Sequence, residues 1–208
     1  MKKFIILAAV SLLCASCFHV NLNFNGNGKT VKGKGPVIAK SFDLKDFDAI
    51  CVEGFADVRF TQADTWEVTL RTHENIFDYV DYEVEDGVLH IRQKEHFNYK
   101  MRVYDLDIQA PVLKSIELNG MGELDIPDGL KVDGDLNVQV NGMGDLSIAG
   151  LVCRNLDVEV SGMGDACFEG EAETASFDVS GMGDIDADGL TVAGKVKKSK
   201  SGMGDIDI

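Results

Sequence analysis

Along the second half of the chain, apolar and polar residues alternate with a period of two. In "LNVQVNGMGDLSI", Leu136, Val138, Val140, Leu146 and Ile148 share one parity, and Gly142 and Gly144 fall on that parity between them. The next copy reads Leu156, Val158, Val160, Gly162, Gly164, Ala166, Phe168; the one after reads Ala175, Phe177, Val179, Gly181, Gly183, Ile185, Ala187. A five-residue word marks each copy: "NGMGE" from Asn119, "NGMGD" from Asn141, and "SGMGD" from Ser161, Ser180 and Ser201. The first glycines fall at 120, 142, 162, 181 and 202, intervals of 19 to 22 residues. A period of two within a repeat and near twenty between repeats predicts an all-β chain, a single-stranded parallel β-helix in which each repeat (115–208) is one coil. Coils would pair backbone to backbone at ~4.8 Å, and stacking would build the core that no single coil can bury.

Upstream of the repeats the pattern is less regular. Short strands are expected in Ser41–Phe60 and Thr65–Thr72, one helical turn in Glu74–Val80, and a strand in Met101–Ala110 closed by Pro111. "YEVEDGVLHIRQ" (Tyr82–Gln93) predicts a β-hairpin, with Asp86-Gly87 supplying the positive-φ turn positions. These are the irregular N-terminal coils of a domain spanning 41–208. "NLNFNGNGKTVKGKGPVIAK" (Asn21–Lys40) has no sustained period and reads as a flexible tether. In the last repeat Lys198 and Lys200 take the positions of Val158 and Val160, which marks a closing coil.

The word itself reads as a corner. Its glycines, Gly120, Gly122, Gly142, Gly144, Gly162, Gly164, Gly181, Gly183, Gly202 and Gly204, have inward parity, where a sharp turn leaves no room for a side chain and calls for unusual backbone angles. The residues between them stack into columns. Parity points Met121, Met143, Met163, Met182 and Met203 outward as an adaptable apolar stripe; a twist at the corner would instead tuck them in as core filler. Glu123, Asp145, Asp165, Asp184 and Asp205 form an acidic column. Either calcium bridges the coils there, or each carboxylate accepts backbone N–H bonds at the glycine corner. "DIDADG" (Asp184–Gly189) opens like a calcium loop but carries Lys195 where position twelve needs Glu, so strand alternation explains it better.

Charge and the N-terminus narrow the function. The formal net charge is -15 over 208 residues, and nearly all of it lies in the repeats. That excess repels phosphate backbones and argues against nucleic-acid binding. Lys2 and Lys3 precede the apolar run Phe4–Leu13, too short to span a bilayer, which predicts a signal peptide over 1–16. Ala15 and Ser16 before Cys17 resemble the lipobox of bacterial lipoproteins, although Cys14 stands where Leu is usual. The resemblance implies cleavage before Cys17 and its acylation, so residues 17–40 become a lipid anchor and tether, with the membrane as partner. Cys51, Cys153 and Cys167 remain, an odd count with no metal spacing. Cys153 aligns with Val132 and Val192 and should be buried; Cys167 has outward parity, so the two should not pair.

With these repeats the chain resembles the bacterial family described as putative auto-transporter adhesin, head GIN domain. The residues that carry the resemblance are "FDLKDFDAICVEGFADVRF", "YEVEDGVLHI" and the repeated Gly-x-Gly-Asp, across Phe42–Ile208. The departure is Met at x in all five copies, where the family more often has a small residue. The resemblance implies a β-helical fold on an exported, often lipid-anchored protein, and its name implies adhesion. Two functions follow: a non-enzymatic envelope module that serves as an adhesin-like binding domain for a protein or polysaccharide or as a scaffold, or a carbohydrate-active enzyme or polysaccharide-binding protein. The near-constant coil length leaves little loop for a cleft, and the uniform acidic column offers no pair of carboxylates in unlike environments. No catalytic residue, cofactor or metal site is assigned, calcium on the acidic column excepted. His19, His73, His90 and His96 precede the repeats and read as surface or tether residues; Trp66 reads as core.

Overall fold

A computed structural model describes residues 29–208. The predicted signal peptide, Cys17 and the first part of the predicted tether lie outside the described residues. The chain is all-β. The strands upstream of the repeats are β1 (Lys29–Lys32), β2 (Val37–Phe42), β3 (Ala49–Phe55), β4 (Asp57–Gln62), β5 (Glu67–His73), β6 (Val80–Glu85), β7 (Val88–Gln93), β8 (Phe97–Lys100) and β9 (Tyr104–Ala110), with one 3-10 helix at Glu74–Tyr79. The repeats supply β10 (Ser115–Met121), β11 (Glu123–Ile126), β12 (Leu130–Lys131), β13 (Asp135–Val140), β14 (Asp145–Val160), β15 (Ala166–Val179), β16 (Ile185–Val192), β17 (Val196–Lys200) and β18 (Ile206–Asp207).

Within the repeats every strand pairs in parallel with the equivalent strand one repeat on. Leu136, Val138 and Val140 lie opposite Leu156, Val158 and Val160, and these lie opposite Ala175, Phe177 and Val179. All nine are buried, so the period-2 parity does what it predicts and one apolar column backs onto the next. Phe168 and Phe177 fill one level of this interior with ring centroids 6.5 Å apart. The longest strands, β14 and β15, bend and contribute to several sides of the curl; β14 pairs β11, β12 and β13 in turn. The final level is the expected closing coil: Lys198 and Lys200 sit opposite Phe177 and Val179, and every residue of β17 is exposed.

The sheet as a whole is mixed and curled rather than uniformly parallel. Three antiparallel ladders close its N-terminal end: β2 with β5, β5 with β9, and β6 with β7. The physical reason is connection length. Only residues 63–66 join β4 to β5, and so short a link can reverse the chain but not carry it back for parallel pairing. β9 then inserts between the two, parallel to β4. The hairpin is where the sequence puts it, with Asp86 at φ 50° and Gly87 at φ 81°. The 3-10 helix matches the expected helical turn and buries Ile76 and Phe77.

The tether reading fails for residues 29–40. β1 pairs in parallel with β8, and β2 pairs antiparallel with β5. Asn75 of the 3-10 helix fixes the link between them, accepting from the Lys34 N–H (2.6 Å) and donating to the Lys32 carbonyl (2.9 Å). Only Val31 of β1 is buried, so backbone pairing holds this segment and leaves almost no apolar period to read.

Candidate functional site

The five words lie on one line up the stack, and backbone hydrogen bonds run through them. Met143, Met163, Met182 and Met203 each donate N–H to the first glycine of the word below, at 2.8 Å. Asn141, Ser161, Ser180 and Ser201 donate to Leu118, Val140, Val160 and Val179 at 2.8–2.9 Å. The ladder therefore continues where the chain bends, at strand spacing.

That close stacking explains the glycines, and it corrects the expected reason for them. A Cβ on Gly142 would lie 1.9 Å from the Gly120 carbonyl oxygen; on Gly162 it would lie 1.8 Å from that of Gly142, and on Gly181 1.9 Å from that of Gly162. Gly120, Gly122, Gly164, Gly183, Gly202 and Gly204 meet a carbonyl oxygen of the coil below at 1.8–1.9 Å. The obstacle is the neighbouring backbone along the stack, not a cramped interior. Nor do unusual backbone angles govern, since of the ten only Gly122 has φ in the left-handed region, at 125°.

The same register exposes a copy that sequence reading missed. Glu53, Gly54 and Phe55 lie opposite Asn119, Gly120 and Met121, and Ala56 donates N–H to the Met121 carbonyl at 3.1 Å. "EGFAD" (Glu53–Asp57) is thus a sixth, diverged word. The signal was present, a glycine followed by an apolar residue, a small residue and an acid, but 66 positions upstream and outside the repeat period.

All five methionines point outward. They are 43%, 46%, 51%, 51% and 75% exposed from Met121 to Met203, and Phe55 continues the column at 38%. Six apolar side chains one strand spacing apart make a strip about 24 Å long. Beside it runs a polar column, in which Asn141 donates to Asn119 Oδ1 (2.9 Å) and Ser161 to Asn141 Oδ1 (2.7 Å). On the other side lies the acidic column. Asp145, Asp165 and Asp184 each accept, through Oδ1, the backbone N–H of the aspartate one coil up, at 3.0, 2.8 and 2.6 Å. Asp205, in the last of the five words, pairs with Lys200 instead. The backbone-capping alternative is therefore the observed use of these oxygens, although the donor belongs to the next coil rather than to the carboxylate's own corner. In "DIDADG", Ile185 and Ala187 are buried and Asp184, Asp186 and Asp188 exposed, as alternation requires.

None of the three cysteines among the described residues is in a disulfide. Cys153 is buried, and its thiol is pushed up to about 11, by burial first and then by the charge of Asp135. Cys167 is half-buried, with its thiol also raised, by burial and then by Asp186 and Glu169. Trp66 packs against the core and donates to the Phe47 carbonyl at 2.9 Å. His90 departs from expectation. It is half-buried on β7 directly opposite Cys51 of β3, and together with Glu53 the two bring one ligand atom each within 4.8 Å of one another. Thirty-nine residues separate Cys51 from His90 in the chain, so spacing gave no hint of the cluster.

A half-open groove of about 490 Å³ is lined in part by Gln62, Pro111, Lys114, Lys131, Asp133 and Asp135. No helix among the described residues is long and apolar enough to cross a membrane.

Comparison with known proteins places this geometry. The fold matches a putative adhesin from Bacteroides fragilis at 21% identity, covering 85% of this chain and 99% of that one, with a TM-score of 0.76. It matches a putative lipid binding protein from Parabacteroides distasonis at 21% identity, covering 86% and 99%, with a TM-score of 0.69. A putative adhesin from Parabacteroides merdae matches at 19% identity, covering 87% and 100%, with a TM-score of 0.61. At these identities the likeness is one of fold. No curated protein matches the sequence. The family model described as putative auto-transporter adhesin, head GIN domain, matches residues 46–208, most of the chain, and the chain belongs to that family.

Proposed function

We propose that this protein is a non-enzymatic cell-envelope lipoprotein that presents its repeat half, a single-stranded parallel β-helix, as an adhesin-like binding surface. On this reading the chain is exported, cleaved before Cys17 and anchored through acyl chains on that cysteine. The observation that carries the proposal is the outward column from Phe55 through Met203, an apolar strip that the fold maintains coil after coil although the core does not use it. Thioether side chains are polarizable and reshape easily, which suits contact with a varied protein or polysaccharide partner. An adhesin-like family agrees with export. The enzymatic alternative has less behind it: Asp64, Asp133 and Asp135 of the open groove are all exposed, so no burial sets one carboxyl apart as an acid.

The test replaces Met143, Met163 and Met182 together by Ser in the producing cell. Attachment to protein- and polysaccharide-coated surfaces is compared with the parent and with a strain lacking the protein, and a melt of the purified variant checks the fold. We expect the variant to lose most attachment with its melting temperature unchanged. Equal attachment by the deletion strain and the parent would sink the adhesive role; equal attachment by the variant alone would sink the strip as its surface. In the same cells, labelled palmitate should enter the parent and not Cys17→Ala. A thioether strip also suits a lipid surface, and the Parabacteroides distasonis protein of the same fold is named a putative lipid binding protein. Binding to neutral vesicles that the triple variant loses would assign the strip to lipid instead.

A further inference from the structure

The outward face where the N-terminal hairpin meets the first coil carries a second constellation. On β3, Ile50 and Val52 point into the core, so Cys51 and Glu53 point out. Cys51 is nevertheless only 1% exposed, with Glu53 and Asn119 of β10 against its sulfur. On one side its partner in register is His90 of β7; on the other it is Glu117 of β10. Glu53 and His90 are half-buried, so the group keeps an opening to the exterior.

We infer that Cys51, Glu53 and His90 form a zinc-class metal site of three protein ligands that ties the hairpin to the first coil. Four observations converge on this. One ligand atom from each residue lies within 4.8 Å of the other two. Cys51 Sγ and Glu53 Oε1 are 3.9 Å apart; around a tetrahedral zinc ion, ligand distances of about 2.3 Å to sulfur and 2.0 Å to oxygen set those atoms about 3.5 Å apart. The sulfur and oxygen would draw together by about 0.4 Å, and a turn of the side chains would bring in the His90 nitrogen. His90 Nδ1 is buried without a hydrogen-bond partner, the kind of polar atom that costs free energy to leave unsatisfied. Arg92, the residue opposite Glu53, turns its guanidinium to Glu83 at 2.5 Å, which leaves the Glu53 carboxylate to Cys51.

The donor set selects the metal. A thiolate and a carboxylate carry two negative charges, which a dication balances, and the imidazole binds neutral. Sulfur and nitrogen donors favour zinc and its transition-metal neighbours, whereas calcium and magnesium want oxygen throughout. The fourth position is left to water on the open side. Asn119 lies behind the sulfur, with Nδ2 at 3.8 Å from Cys51 Sγ and 2.7 Å from Glu117 Oε1, and so holds the outer shell in place.

The experiment titrates the full chain, purified reduced and stripped with chelator, with cobalt(II) as an optical probe for zinc. We expect one equivalent to bind with a thiolate-to-cobalt charge-transfer band that zinc then displaces, and zinc to raise the melting temperature through binding to the native state. Cys51→Ser should abolish the band, and His90→Gln should weaken cobalt binding by about tenfold or more, a loss as large as that seen for outer-shell partners. The Cys153→Ala and Cys167→Ser variants should keep the band. Should Cys51→Ser fail to fold by circular dichroism, His90→Gln decides alone. The proposal is overturned if no thiolate band forms, if the band survives His90→Gln at full affinity, or if Cys167→Ser removes it.

Discussion

Gly162 and Gly144 occupy equivalent words yet are not equally constrained. A Cβ on Gly162 would sit 1.8 Å from the Gly142 carbonyl oxygen, whereas on Gly144 the nearest atom, the Gly122 oxygen, is 2.8 Å away. Backbone cannot swing aside as a side chain can, so the first contact forces two coils apart. Gly162→Ala should cost about 3 kcal/mol or more, the upper range for overpacking, and Gly144→Ala clearly less. Urea unfolding of both variants measures the difference, and equal costs would mean that the stack relaxes more freely than its register implies. The methionine between two such glycines is free of this constraint, which is why it can be spent on the exterior.

At the scale of the element, the closing coil is the most instructive. β17 repeats the backbone of the strands below it but carries Lys198 and Lys200 where they carry valine or phenylalanine. Lys200 reaches back to Asp205, and Lys198 donates to the Ile206 carbonyl at 3.2 Å, so both charges stay at the open end. Lys198→Val with Lys200→Val would extend the apolar interior to a bare strand edge. That double variant should associate with rising concentration in sedimentation velocity well beyond the parent; a variant that sediments like the parent would mean that the lysines do not guard the edge. The repeats were legible because both of their periods are written in residue types, apolar against polar and glycine against all others. The antiparallel end was not, because alternation looks the same whichever way a partner runs, and the decisive clue was the brevity of residues 63–66. β1 was missed because only Val31 turns inward, and the diverged word at Gly54 because it lies outside the period. The columns of the candidate surface followed from parity, but the partner of each aspartate did not, since its donor lies on the next coil. Cys51 and His90 were invisible for a related reason: a cross-strand neighbour has no fixed spacing in the chain.

At the scale of the whole molecule, the repeat half pairs each level in parallel with those above and below, which predicts a series of equivalent levels there. Residues 161–179 make one level, and removing them joins Val160 to Ser180, as Val179 is joined in the parent. The shortened chain should fold with the same strand signature by circular dichroism and be shorter along the stack by about 4.8 Å in solution scattering. An out-of-phase cut of about half a level, residues 161–170, joins Val160 to the middle of a strand and should leave no folded protein. A folded product from the out-of-phase cut would refute the equivalence of levels.

The diverged word at Glu53–Asp57 shows where such a series begins: glycine and the outward apolar residue persist, while the second glycine has become Ala56. Because each word seats on a word like itself, a gene that gains or loses a copy by slippage between words yields a taller or shorter protein of unchanged cross-section. Height in this lineage is then a trait that mutates in whole steps, and the reach of the molecule can be inherited and selected apart from its chemistry.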